Sequence, residues 1–208
     1  MIDESFNGDT VFVAEGTYLP TKIIGTSTSV QYKSLYLRSG VTICGSYAND
    51  GSGASNINLY PSIITGEIQS DNDQSNNSYH VVNCGTTIPA QETALENFII
   101  RDGNANNGTA YGLASYCNGG GVIMTDKIIL KNCIITNNIA TRSGAGAYCY
   151  DGGTIINCLI YNNHSTGVSG SGGAAHLSTG GKLINCTVVN NSSLRNIGGV
   201  SRYISKQQ

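Results

Sequence analysis

Asp126 and Asp151 stand 25 residues apart in a chain that repeats itself at that interval. If both occupy one turn position on neighbouring coils, parallel strands about 4.8 Å apart would bring the carboxylates together. Such a pair could share a proton, as in a hydrolase, or chelate calcium. The next coil offers Thr179 there, so the cluster does not grow, and two solvated turn aspartates are the plainer reading. A second candidate is the outward column Ile123, Tyr148, His176 and Arg202, with Tyr150 close by. Aromatic, imidazole and guanidinium groups on one strip can stack on and hydrogen-bond to sugars. His176 has no Ser or Cys in a recognised triad arrangement, so nucleophilic catalysis lacks support. A third is Glu67, Asp71 and Asp73, whose spaced carboxylates beside amide oxygens suit a calcium ion, although no defined calcium loop has that spacing.

The seven Cys form no CxxC pair and no metal-ligand spacing with the three His, which argues against structural zinc. Cys133, Cys158 and Cys186 read as a column of small buried apolar side chains kept as thiols. A bridge between Cys84 and Cys117 stays open at this point.

The elements that must position these groups come from an internal repeat. Leu95–Ile100, Leu130–Ile135, Ile155–Ile160 and Leu183–Val188 superpose without gaps, and the last three run on into the pairs Asn137-Asn138, Asn162-Asn163 and Asn190-Asn191. The first carries Asp102-Gly103 instead. Small-residue elements begin at Gly119, Gly144 and Gly172, and they step by 25 and 28 residues, as do Asn132, Asn157 and Asn185. A last coil opens at Gly198-Gly199-Val200-Ser201 and reads as truncated.

Each period holds short strand-like stretches and no room for an ordinary helix, so coils must stack to bury an apolar face. The expected fold is all-β, a right-handed parallel β-helix with coils of about 25 residues. Alternation predicts inward columns Leu95/Leu130/Ile155/Leu183, Ile100/Ile135/Ile160/Val188, Val122/Ala147/Ala175, Met124/Cys149/Leu177 and Phe98/Cys133/Cys158/Cys186. Asn97, Asn132, Asn157 and Asn185 are expected at left-handed bends, stacked as a buried amide ladder. The outward strip Ile99, Ile134 and Leu159, continued by Thr187, is apolar and invites a cover or a partner. Residues 1–94 are less regular and are taken as longer-looped first coils of one domain spanning 1–208.

Composition excludes several classes. The net charge is −2, with 11 Lys and Arg and no basic cluster, so nothing marks a nucleic-acid surface. No apolar run approaches the ~18 residues of a membrane span. Met1 to Ser5 lacks the basic and apolar stretches of a leader.

Gly8-Asp9-Thr10-Val11-Phe12-Val13-Ala14-Glu15-Gly16-Thr17-Tyr18 resembles the opening of pectin-lyase-like β-helix proteins of bacterial surfaces. Leu37–Ile43, Pro61–Gly66 and Ser78–Val82 are similar to later segments of that family in the same order, and the Gly-Gly-Ala-Ile-like and Phe-x-x-Asn-like elements, the latter at Ile134–Asn137 and Leu159–Asn162, resemble polymorphic outer membrane protein repeats. The resemblance implies a parallel β-helix and an extracellular or cell-surface location, with any targeting segment outside this chain. It does not imply an activity, because that fold hosts enzymes and adhesins alike. The leading expectation is a non-catalytic, adhesin-type module that binds a polysaccharide or a surface protein. The alternatives are a calcium-dependent polysaccharide lyase or Asp-pair glycoside hydrolase, and a filament subunit joined through open ends.

Overall fold

Runs of two to six residues, several of them stopped by Asn or Gly, make short strands that cannot stand alone. The structure is a computed structural model describing residues 4–24, 27–84, 88–108, 116–194 and 197–203. Met1 to Asp3 of the N-terminal stretch read above lie outside the described residues. The first round of the chain contributes β1 (Thr10–Ala14), β2 (Gly16–Tyr18), β3 (Lys22–Ile23) and β4 (Lys33–Tyr36). The second gives β5 (Thr42–Tyr47), β6 (Ser62–Thr65) and β7 (Val82–Asn83). The third gives β8 (Thr93–Glu96), β9 (Phe98–Arg101), β10 (Asn104–Ala105) and β11 (Val122–Thr125). The fourth adds β12 (Ile128–Lys131), β13 (Ile134–Thr136), β14 (Ile139–Ala140) and β15 (Ala147–Asp151). The fifth adds β16 (Thr154–Ile156), β17 (Leu159–Tyr161), β18 (His164–Ser165) and β19 (Ala175–Leu177). The sixth adds β20 (Lys182–Ile184), β21 (Thr187–Val189), β22 (Ser192–Ser193) and β23 (Val200–Arg202).

Each round adds one strand to each of several parallel sheets. The orders are β1-β5-β8-β12-β16-β20, β2-β6-β9-β13-β17-β21, β10-β14-β18-β22 and β4-β7-β11-β15-β19-β23. Only β3 runs antiparallel among the described strands, along the edge of β4. Residues before 95 therefore enter the same sheets as those after it. No helix among the described residues is long and apolar enough to cross a membrane.

The five inward columns expected from alternation all face the core. Leu95, Leu130 and Ile155 are fully buried, as are Ile100, Ile135 and Ile160, while Leu183 and Val188 in the last round are half-buried. Each aliphatic side chain taken fully out of water contributes roughly 1.5–3 kcal/mol.

Two left-handed corners flank the second sheet in each regular round, and they correct the expected amide ladder. Asn97, Asn132, Asn157 and Asn185 do adopt left-handed backbone, with φ of 61°, 53°, 54° and 48°. Their side chains are not buried, however: Asn97 and Asn132 are half-buried and Asn157 and Asn185 exposed, where Asn185 Nδ2 donates to Asn157 Oδ1. At the second corner Asp102, Asn137, Asn162 and Asn190 are left-handed as well. The residue after each corner turns inward, which is why Phe98 and Cys133, Cys158 and Cys186 follow the first. By the same rule Asn138, Asn163 and Asn191 follow the second and form the inward ladder, buried at Asn138 and Asn163 and half-buried at Asn191. Asn163 Oδ1 accepts from Asn138 N and Nδ2 at 3.0 Å each, and Asn191 Oδ1 accepts from Asn163 N at 3.0 Å and Nδ2 at 2.9 Å. The ladder ends where Gly103 N donates to Asn138 Oδ1. A Cβ on Gly103 would lie 2.0 Å from Gly120 O, so the amide side chain cannot continue there.

No disulfide joins Cys84 and Cys117, which closes the alternative left open above. Cys84 Sγ lies 3.6 Å from Thr125 Oγ1, and Asn118 Nδ2 donates to Cys117 Sγ. The column Cys133, Cys158 and Cys186 keeps its thiols: backbone N–H groups of Cys133 and Cys158 each donate to the Sγ one round on, at 3.4 Å.

Candidate functional site

The connection from β6 to β7 is the longest detour in the second round, and its carboxylates fold it. Asp71 Oδ1 accepts from Asp73 N, Asp73 Oδ1 from Ser75 N, and Asn76 Nδ2 donates to Asp71 Oδ2. Asp73 thereby caps the short 3-10 turn Gln74–Asn76. The Asp73 amide, with Asn76, holds the Asp71 carboxyl below its ordinary range. Glu67 belongs to the same turn, its Oε1 accepting from Asp71 N. The three carboxylates proposed for calcium are thus used as local turn acceptors, and no group of three or more His, Cys, Asp or Glu side chains gathers at a metal-binding spacing among the described residues.

This loop is pinned across the second corner of the stack. Asn77 Nδ2 donates to Asp102 O at 2.7 Å, Asn104 Nδ2 to Gln74 O at 2.8 Å, and Gln74 Nε2 to Asn137 O at 3.0 Å. Between loop and sheet lies a polar cleft of about 690 Å³. Its floor carries Arg101 and Asp102, joined as an ion pair with Nε 3.2 Å from Oδ2, and Thr65 Oγ1 donates to the same oxygen at 2.9 Å. The two side chains keep 41% and 22% of their surface exposed, so the pair faces the cleft without being isolated from water. Asn137, Asn162 and His164 line the far side. Asn77, only 1% exposed, has its amide nitrogen engaged by Asp102 while Oδ1 has no partner. A buried acceptor without a donor is costly, and with almost no accessible surface this one is closed to the cleft.

The residues expected to do chemistry are placed otherwise. A bulge between Met124 and Thr125 sets Asp151 beside Thr125, and Asp126 lies against Gly152, where an added Cβ would meet Asp126 Cβ at 2.8 Å. Asp126 and Asp151 are nevertheless neighbours on adjacent rounds, where Asp126 N donates to Asp151 O; both are exposed. Tyr148 and His176 are stacked as neighbours, their ring centroids 5.2 Å apart at 15°, and Tyr150 lies 6.4 Å from Tyr148. Ile123 is fully buried and Tyr148 is 6% exposed, so that column is largely covered. Arg202 does not extend it. The register pairs His176 with Ser201 and Leu177 with Arg202, because Val200 takes the inward place after Ala175 and a one-residue slip reverses every face.

That slip creates a contact the sequence did not suggest, Ser201 Oγ at 2.8 Å from His176 Nδ1. A second His–Ser pair, His164 with Ser192, joins the neighbouring sheet at 2.5 Å. Burial lowers the His176 pKa from its ordinary value. Among the described residues no carboxylate is hydrogen-bonded to either imidazole, so neither pair has the orienting group of a triad. They are contacts between paired residues of adjacent rounds. The strip Ile99, Ile134 and Leu159 faces outward and is half-buried, with Thr187 exposed beyond it. Burial pushes the Cys149 thiol up to about 12, and hydrogen bonding along the column raises Cys158 and Cys186, so these sulfurs are poor nucleophiles.

Arg101, Asp102, Asn77 and His164 were not singled out from sequence as site residues. The available signal was the departure from the repeat, since Arg101-Asp102-Gly103 interrupts a series of Asn pairs. No family model, curated protein or solved structure matches this chain.

Proposed function

We propose that this chain is a right-handed parallel β-helix of the pectin-lyase-like kind and works outside the cell or at its surface as a binding module for glycans. The carrying observation is the polar cleft, whose amides, hydroxyls and single ion pair sit on a rigid stack while its wall is a loop. Amide and hydroxyl groups offer the donors and acceptors that sugar hydroxyls need, and a volume of about 690 Å³ is in the range of small-ligand sites. The enzyme readings rest on Asp126 and Asp151 alone, two exposed turn carboxylates side by side on adjacent rounds.

The test is a glycan array probed with the intact chain and with Arg101→Ala. Binding to a defined set of glycans, lost in the variant, supports the reading. A blank array for the wild-type protein would sink it.

A further inference from the structure

The cleft is elongated in one direction. Thr17, Thr65, Arg101, Asn137 and Asn162 all line it, and they come one each from five successive rounds. Neighbouring strands are about 4.8 Å apart, so five rounds extend roughly 20 Å along the stack, across the strands. Its shape is therefore that of a trough for a chain, and the corner asparagines recur along it with the period of the stack.

The charges in the trough are few. Glu67, Arg101 and Asp102 line it, Arg101 and Asp102 neutralise each other at 3.2 Å, and the carboxylate of Glu67 is left over. An anionic polymer would meet that carboxylate with a guanidinium already engaged. The remaining polar groups are mostly amides and hydroxyls. Leu19 and Ile139 add apolar surface for the C–H faces of a ring.

We infer that the trough takes a linear, uncharged oligosaccharide of about four units, laid along the stack axis with one sugar to each strand spacing. This rests on the glycan reading above and adds length, direction and charge to it. Arg101 and Asp102 hold one of the two middle units through paired hydrogen bonds.

Titration calorimetry on the full chain tests this with three neutral series, gluco-, manno- and chito-oligosaccharides from dimer to hexamer, and with oligogalacturonates of the same lengths. For at least one neutral series the affinity should rise tenfold or more from dimer to tetramer and then level off. Oligogalacturonates should bind at least tenfold more weakly, and Glu67→Gln should narrow that gap. Arg101→Ala should weaken the neutral tetramer tenfold or more. Preference for the uronates, or an affinity independent of length, overturns the inference while leaving the glycan reading standing. Failure of every glycan in both the array and the titrations overturns both.

Discussion

The rounds before Leu95 and those after it build the same sheets by different means. In the later half two left-handed corners recur, one followed by an inward cysteine and the other by an inward asparagine, and Asn138, Asn163 and Asn191 pass hydrogen bonds along the stack. In the earlier half serine hydroxyls do comparable work. Ser46 is left-handed at φ 67°, its Oγ donates to Asn97 O at 2.7 Å, and Ser62 Oγ donates to Ala14 O at 2.5 Å. A hydroxyl reaches fewer groups than an amide, so each round there is closed less uniformly and longer detours are tolerated. One of those detours, from β6 to β7, is the wall of the cleft. The contrast teaches that the repeat supplies a rigid floor, and that the departure from it supplies the site.

The sharpest way to break this contrast is to remove the centre of the ladder. Asn163→Ala strips Asn138 N of its acceptor and removes the amide donor from Ile135 O, Tyr161 O and Asn191 Oδ1, of which the last keeps Asn163 N. Buried groups that lose their partners cost about 1–3 kcal/mol each, so a loss of roughly 4 kcal/mol and on the order of 10 °C in Tm is expected. Ser46→Ala, by the same denaturant titration, should lose only about 1–2 kcal/mol. Equal losses would show that the two halves are closed alike.

Acid should act on the earlier half. His80 is 1% exposed, its Nδ1 bonded to Gly119 O, and burial lowers its pKa from 6.5 to about 4. The unfolded chain takes up the proton near pH 6.5, before the folded one does. The stability present above that pH is therefore lost as the pH falls towards 4, by up to about 3 kcal/mol. Urea titrations at pH 7 and pH 4 should show this slope for the wild type and a smaller one for His80→Asn. An unchanged slope in the variant would assign the acid sensitivity elsewhere.

Smaller effects separate backbone from chemistry. Lys127 holds φ at 63°, a region that disfavours L side chains, so Lys127→Gly should stabilise the chain by about 1 kcal/mol, whereas Asn132→Gly should be nearly neutral. Arg101→Ala, in the cleft, should change stability by less than about 0.5 kcal/mol, since its ion pair is partly exposed. A large stability loss there would mean that the cleft is part of what closes the stack.

Much of the stack was legible because its signals are local. Leu130, Ile135, Ala147 and Cys149 recur at intervals that keep two features in one register, and all of them face the core. The errors arose where one residue decided the face. Reading Gly198-Gly199 against Gly172-Gly173 put Arg202 after His176, but burial of Val200 sets Ser201 there. The bulge after Met124 likewise shifts the register by one place, although Asp126 N still donates to Asp151 O. Choosing the first Asn column as the ladder missed that the residue following a left-handed corner, and not the corner itself, turns inward.

The sequence by itself determined the period, the inward apolar columns and the left-handed corners, because side-chain size and the tolerance of Asn for positive φ act within a few residues. It also marked, at Arg101-Asp102-Gly103, the place where the repeat is interrupted. Only the tertiary structure decided that the β6–β7 loop, whose residue Gln74 lies 63 positions before Asn137, closes over that interruption to form the cleft. A contact across such a separation depends on which rounds lie side by side, and no local pattern of residues carries that information.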